Sequence, residues 1–181
     1  MIVSIDMFNT YSGNYEDSAG AVMLKGSFLT SAEEIVTGYL GYDPRSQQHT
    51  DVVLSGTGTH KLYLPSRNIT QLHTIAVNQT VIDPLGFVLS GDHIRSRANR
   101  WVFPPGRENI FISYTAGWEG EHMPSVIILS ALRIATLMLS ETNGNIGLTG
   151  KSFADNSRTF INYSNYRKYL QPLDSLRIIR F

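Results

Sequence analysis

One stretch restricts the fold more than any other. "VIILSALRIATLML", residues 126–139, carries a single charge, Arg133. Wound as a helix it is apolar on nearly every face, and such a helix must be covered on every side. It is shorter than the roughly 20 residues that a bilayer span requires, so its cover is protein. A chain of 181 residues has the length of one domain. The expectation is therefore an internal core on one side of this helix and a second subunit on the other, with Ile128 and Leu132 in that interface. Pro124 suits a first helical position, which puts the long apolar helix at 124–140.

The hydrophobic period changes twice along the chain. In the first zone a helix is expected over 18–41. Asp17 and Ser18 are good caps, and Ala21, Leu24, Phe28, Ala32, Ile35 and Tyr39 make one apolar stripe. Gly41 and Pro44 stop it. Gly20, Gly26 and Gly38 each weaken it by about 1 kcal/mol against alanine. The preceding "MIVSIDMFNTYSGN" reads as an initial strand and turn.

Residues 50–117 read as β. "DVVLS" and "KLYLP" flank "GTGTH", a glycine-bearing hairpin turn. "ITQLHTIAVN" and "TVI" flank the turn Asn78-Gln79. "GFVLSG", "HIRSRANRWVF" and "NIFISYTAG" follow, punctuated by Asp83-Pro84, Gly91-Asp92 and Pro104-Pro105-Gly106. Short consecutive strands with tight turns pair antiparallel. Beyond the long helix an extended segment, "KSFADNSRTFINY", leads to a short helix in "NYRKYLQPLDSL" and the end "RIIRF". The fold class is thus α+β: a small helical bundle, an inserted antiparallel β subdomain, and a C-terminal hook plus short helix over 150–181.

Composition excludes some chemistry. Without cysteine there are no disulfides, thiolate nucleophiles or cysteine-ligated metals. No basic region followed by an apolar stretch marks a signal peptide, so a soluble, cytoplasmically made protein is expected. Formal net charge is zero, which does not suggest a general nucleic-acid binder. The last forty residues nevertheless hold six cations (Lys151, Arg158, Arg167, Lys168, Arg177, Arg180) against two acids (Asp155, Asp174). That excess fits an anionic partner or a solvated face.

"NIGLTGKS", residues 145–152, nearly matches the phosphate-binding pattern G-x-x-x-x-G-K-[ST], with Asn145 in place of the first glycine. The pattern works when a strand delivers the loop and a helix receives it. Here a helix precedes and an extended segment follows, so a helix stop and loop is the better reading. Glu119, Glu121 and His122 can be read as metal ligands or an acid–base group; complementing the dipole of the next helix is favoured. His49, His60, His73 and His93 show no ligand spacing, and no G-x-S-x-G elbow is present. No catalytic, cofactor-binding or metal residues are assigned. Trp118 is either a binding anchor or a cover for the end of the core. Arg95, Arg97 and Arg100 with Trp101 can touch nucleic acid or form the solvent face of a strand.

The order of parts resembles the bacteriophage head–tail connector, or adaptor, family over nearly the whole chain. "IDMFNTYSGNYEDSAGAVMLKGSFLTSAEEIVTGYLGY" is similar to its opening helix and aromatic-glycine turn. "KLYLPSRNITQLHTIAVNQTVI" is similar to its strand–turn–strand. "ISYTAGWEGEHMPSVIILSALRIATLML" is similar to its strand, Y-T-A-G-[YW] turn, proline and long helix. "GKSFADNSRTFINYSNYRKYLQPLDSLRIIRF" is similar to its glycine-containing hook, final helix and arginine-bearing end. The initial segment is longer, and the first helix richer in glycine, than the family pattern.

The resemblance implies one connector domain over 1–181 and a structural virion protein of the phage neck, assembled in the host cytoplasm. It implies a dodecameric ring beneath the portal that extends the DNA channel, carries the next stopper or tail component, and has no enzymatic activity or cofactor. Portal docking falls to Tyr166, Arg167, Lys168, Leu170, Leu173, Leu176, Arg177, Ile178, Ile179, Arg180 and Phe181. Arg133, Phe153 and Phe160 join Ile128 and Leu132 at the subunit interface, and Arg95, Arg97 and Arg100 face passing DNA. A stopper or tail terminator is the nearest rival. An antiparallel-β binding module or hydrolase is the rival from another class, and it would need a cleft with convergent polar groups.

Overall fold

Ser4 accepts a hydrogen bond from the amide of Met7, and Gly13 ends the same segment in the left-handed region at φ 68°. Ile5–Ser12 is therefore a capped helix, α1, where the sequence reading placed a strand and turn. Its signals were the two caps alone; eight residues are too few to show a helical period. The computed structural model describes residues 1–97, 101–141, 148–151, 158–160 and 164–178, with backbone alone at 148–151, 158–160, 164 and 165. The chain forms two compact units. A helical unit combines Met1–Gly41 with the described residues of Met123–Ile179, and a β unit comprises Tyr42–His122. The fold is α+β, with antiparallel sheets and a short C-terminal helix.

In the helical unit α2 spans Ala19–Leu40, capped by Ser18 and closed by Gly41 at φ 82°. A Cβ at Gly41 would also stand 2.8 Å from the carbonyl oxygen of Ile178, so both conformation and space favour glycine there. The buried side of α2 is Lys25, Leu29, Ala32, Glu33, Val36 and Leu40. This corrects the expected stripe, of which only Ala32 is buried; Leu24 is exposed, and Ala21, Phe28, Ile35 and Tyr39 are half-buried. The true stripe contains two charges, so a purely apolar period locks onto the neighbouring face.

Both charges are satisfied by segments distant in the chain, as burial demands. Glu33 Oε1 accepts the amides of Ile2, at 2.5 Å, and Val3, at 3.1 Å. Lys25 Nζ donates to Asn9 Oδ1, Asn14 O and Glu16 O. An ammonium has three protons to donate, and these three acceptors take them.

Helix α3, Ser125–Ser140, packs on α2 and α1. Ile127, Ser130, Ala131, Leu132, Ile134 and Ala135 are buried, whereas Val126, Ile128, Leu129 and Arg133 keep partial exposure. Strands β8 (Leu148–Lys151) and β9 (Arg158–Phe160), assigned to the hook, pair antiparallel. Helix α4, Ser164–Leu170, runs into a 3-10 turn at Gln171–Leu176. Leu170 and Leu173 are buried, and the Ile178 amide donates to the Leu40 carbonyl at 2.8 Å. Ser130 Oγ lies 2.8 Å from the carbonyl oxygens of both Val126 and Tyr169, which ties α3 to the end of α4.

The β unit has seven strands among the described residues: β1 Gln47–Gly56, β2 Lys61–Tyr63, β3 Ile69–Val77, β4 Thr80–Ile82, β5 Phe87–Ser90, β6 His93–Ser96 and β7 Gly106–Ala116. They form one sheet in the order β1-β7-β3-β4 and another in the order β2-β6-β5. The β3–β4 hairpin turns at Asn78 and Gln79, both at positive φ, as a two-residue type I′ loop requires. The β5–β6 hairpin turns at Gly91-Asp92. "GTGTH" is not a hairpin turn, contrary to the sequence reading. β1 pairs with β7 and β2 with β6, so the loop carries the chain from one sheet to the other. Gly58, at φ 76°, donates its amide to Phe103 O. The two sheets share one core that includes Leu62, Ile75, Ile94, Ile110, Ile112 and the stacked rings of Phe87 and Phe103.

Candidate functional site: surfaces for assembly

Of the near phosphate loop, Gly150 and Lys151 lie in β8, paired with Thr159 and Arg158; Asn145, Ile146, Gly147 and Ser152 lie outside the described residues. A ladder strand directs its amides to its neighbour, so they do not form a phosphate cradle. Glu119, Glu121 and His122 are exposed around a 3-10 turn, and the first turn of α3 has no side-chain cap. Among the described residues no three His, Asp or Glu side chains are grouped to hold a metal, and no helix is long and apolar enough to cross a membrane.

One polar cluster in the β unit resembles catalytic machinery. His49 Nε2 is 3.2 Å from Ser66 Oγ, which is 3.1 Å from Tyr114 Oη, and the His49 ring stacks on Tyr114 at 4.8 Å. Burial holds the His49 pKa below its ordinary value, partly offset by the Asp43 charge, so the ring favours its neutral form. Ser66 is only 3% exposed. A nucleophile must reach its substrate; this hydroxyl is enclosed and serves instead as a hydrogen-bond bridge in the core.

The "YTAGW" segment ends β7 in a tight crossing. Gly117 sits at φ 106°, and a Cβ there would stand 2.2 Å from Arg45 O. Its amide faces the carbonyls of Arg67 and Asn68, and Asn68 Nδ2 donates to its carbonyl at 2.6 Å. Trp118 exchanges backbone bonds with Pro44 and Ser46, and its ring lies 6.4 Å from that of Tyr42. Trp118 therefore covers the edge of the β unit.

Arg95 and Arg97 are both exposed, at and just after β6; Arg100 lies outside the described residues. Arg95 pairs directly with Lys61 of β2. Like charges directly opposite are mildly unfavourable, and here they set two cations side by side on one face. Lys61 was not singled out in the sequence, because its partner comes 34 positions later in the chain. A second surface was also missed. Val53, Phe111, Ala76 and Val81 stand in cross-strand register over all four strands of the larger sheet, and Val53, Phe111 and Val81 are exposed. Its sequence signal is the uninterrupted apolar runs Val52-Val53-Leu54 in "DVVLS" and Ile110-Phe111-Ile112 in "NIFIS", which leave apolar residues on both faces.

In the helical unit Leu132 is buried within its own subunit, while Ile128 and Arg133 retain surface. Phe153 and the side chain of Phe160 lie outside the described residues. Of the docking residues, Leu170 and Leu173 are buried in their own unit, so they position the segment and offer no surface to a partner. Ile179, Arg180 and Phe181 lie outside the described residues. Arg167, Lys168 and Arg177 are exposed, and Tyr166, Leu176 and Ile178 are half-buried. Burial raises the Tyr166 pKa, aided by the Glu141 charge.

Tyr39 donates its hydroxyl to the Asp174 carboxylate, 135 positions along the chain. That bond, with burial, raises the Tyr39 pKa, and the Arg177 guanidinium lies 4.8 Å over the Tyr39 ring.

No protein-family model and no curated protein matches this chain. Solved structures do. A chain in the virion of a native gene transfer agent (GTA) particle matches with a TM-score of 0.61 at 13% identity, over 99% of this chain and 91% of that one. A chain in the neck of an empty GTA particle computed with C6 symmetry matches with 0.62 at 13% identity, over 99% and 91%. A chain in the neck of a native GTA particle computed with C12 symmetry matches with 0.53 at 13% identity, over 96% and 89%. The chain therefore has the fold of subunits found in the virion and neck of a gene transfer agent.

Proposed function

We propose that this chain is a structural protein of a phage-type neck, and specifically a ring-forming head–tail adaptor seated beneath the portal. The observation that carries the reading is the fold shared over 99% of the chain with neck and virion subunits of a gene transfer agent particle. A neck computed with C12 symmetry is compatible with a ring of twelve. Closed rings satisfy heterologous surfaces without open ends, and the half-buried side of α3 and the exposed apolar row of the larger sheet supply such surfaces.

In this reading Ile128 and Arg133 lie at the subunit contact. Arg95, Arg97 and Lys61 offer sequence-independent phosphate contacts to passing DNA. Residues 166–181 face the portal, and the next stopper or tail component sits on the opposite end. The role requires no catalysis and no cofactor. Native mass spectrometry of the purified protein and co-sedimentation with tailless, portal-bearing heads test it. A twelve-chain particle that joins such heads is expected. A monomer with a small-ligand activity, or a ring that joins tails and not heads, overturns it.

A further inference from the structure

A cleft of about 490 Å³ opens between the C-terminal part of α2 and the α4 segment, lined by Tyr39, Arg167, Lys168, Gln171, Asp174 and Arg177. Three cations meet one carboxylate there. The carboxylate is engaged by the Tyr39 hydroxyl, and one guanidinium lies over the Tyr39 ring. The scaffold is held from beneath: Leu173 is fully buried, and the Ile178 amide is bonded to Leu40 O. The cations are thus displayed by a pinned segment, which lowers the ordering cost of binding.

We propose that this cleft is a receptor for an acidic peptide segment of a partner protein, whose Asp or Glu carboxylates enter among Arg167, Lys168 and Arg177. This deepens the docking role above and rests on it only for the identity of the partner. Cations that converge on one cleft suit a compact anion. Duplex DNA, with a charge about every 1.7 Å of its axis, is met by cations spread along a face. Asp174 selects further, because a dianionic phosphate feels about twice the Coulomb repulsion from it that a single carboxylate feels. The arginine forks match carboxylate geometry.

The test is fluorescence anisotropy with labelled hexaglutamate on the full chain at fixed ionic strength. Wild type is expected to bind. Arg167→Glu with Lys168→Glu, both at exposed positions, is expected to weaken binding about tenfold or more with melting temperature preserved. Asp174→Asn, which keeps an acceptor for Tyr39, is expected to tighten binding about threefold. Arg107→Glu, at an exposed position of the β unit, is expected to leave it unchanged.

The proposal is overturned if wild type ignores hexaglutamate, if Asp174→Asn fails to tighten binding, or if the β-unit variant weakens it equally. It is also overturned if inorganic phosphate or a labelled 20-base-pair duplex displaces the peptide at comparable concentration. A protein that forms twelve-chain rings yet ignores hexaglutamate loses this cleft and keeps the neck reading.

Discussion

Lys25 Nζ lies 2.7 Å from Asn9 Oδ1, so a buried ammonium on α2 holds a helix that begins twenty residues earlier in the chain. The same nitrogen takes the carbonyls of Asn14, at 2.9 Å, and Glu16, at 2.7 Å. Lys25 is 2% exposed. Lys25→Met keeps the volume and removes the donors, stranding two backbone carbonyls. A loss of about 3 kcal/mol is expected, with faster amide exchange across Ile5–Ser12. Urea denaturation and hydrogen exchange measure both; unchanged exchange in α1 would sink the latch.

Gly117→Ala places a methyl 2.2 Å from Arg45 O at a φ of 106°. Backbone strain and the clash together should cost about 3 kcal/mol or more. The expected outcome is a sharply lower melting temperature or loss of soluble protein. A variant that melts with wild type would show that the β7 end does not require this crossing.

His49 gives the β unit a pH dependence of defined sign. Its pKa is lowered from 6.5, chiefly by burial. As pH falls through 6.5 the unfolded chain takes a proton that the folded ring still declines. The unfolded state is then favoured, and stability drops until the folded ring also protonates. His49→Gln should therefore lose less melting temperature than wild type between pH 7.5 and 5. Equal losses in the two proteins would remove His49 from the account.

In the proposed ring, Ile128 and Leu132 are expected to separate assembly from subunit folding. Leu132 is buried inside its own unit, whereas Ile128 is partly exposed. Leu132→Asp should unfold the subunit, costing about 3–5 kcal/mol. Ile128→Asp should preserve circular dichroism and abolish the ring in native mass spectra. Normal rings from Ile128→Asp would move the subunit contact away from this side of α3.

Legibility in the sequence followed the range of the interactions. The bounds of α2 and α3, the Asn78-Gln79 and Gly91-Asp92 turns and the run of β strands were readable, because caps, turn residues and periods act within a few positions. The sequence by itself determined those elements, the lack of thiol chemistry and the apolar excess of α3. Tertiary structure alone decided which face of α2 is buried, because Lys25 and Glu33 are admitted to the core only by acceptors and amides on distant segments. It also decided that β1 and β2 enter different sheets, a pairing chosen by packing between strands far apart in the chain. The cleft at Tyr39 and Asp174 belongs to the same class. Its charges are visible in the sequence, but their convergence exists only once Leu173 and Ile178 have fastened the last segment to α2.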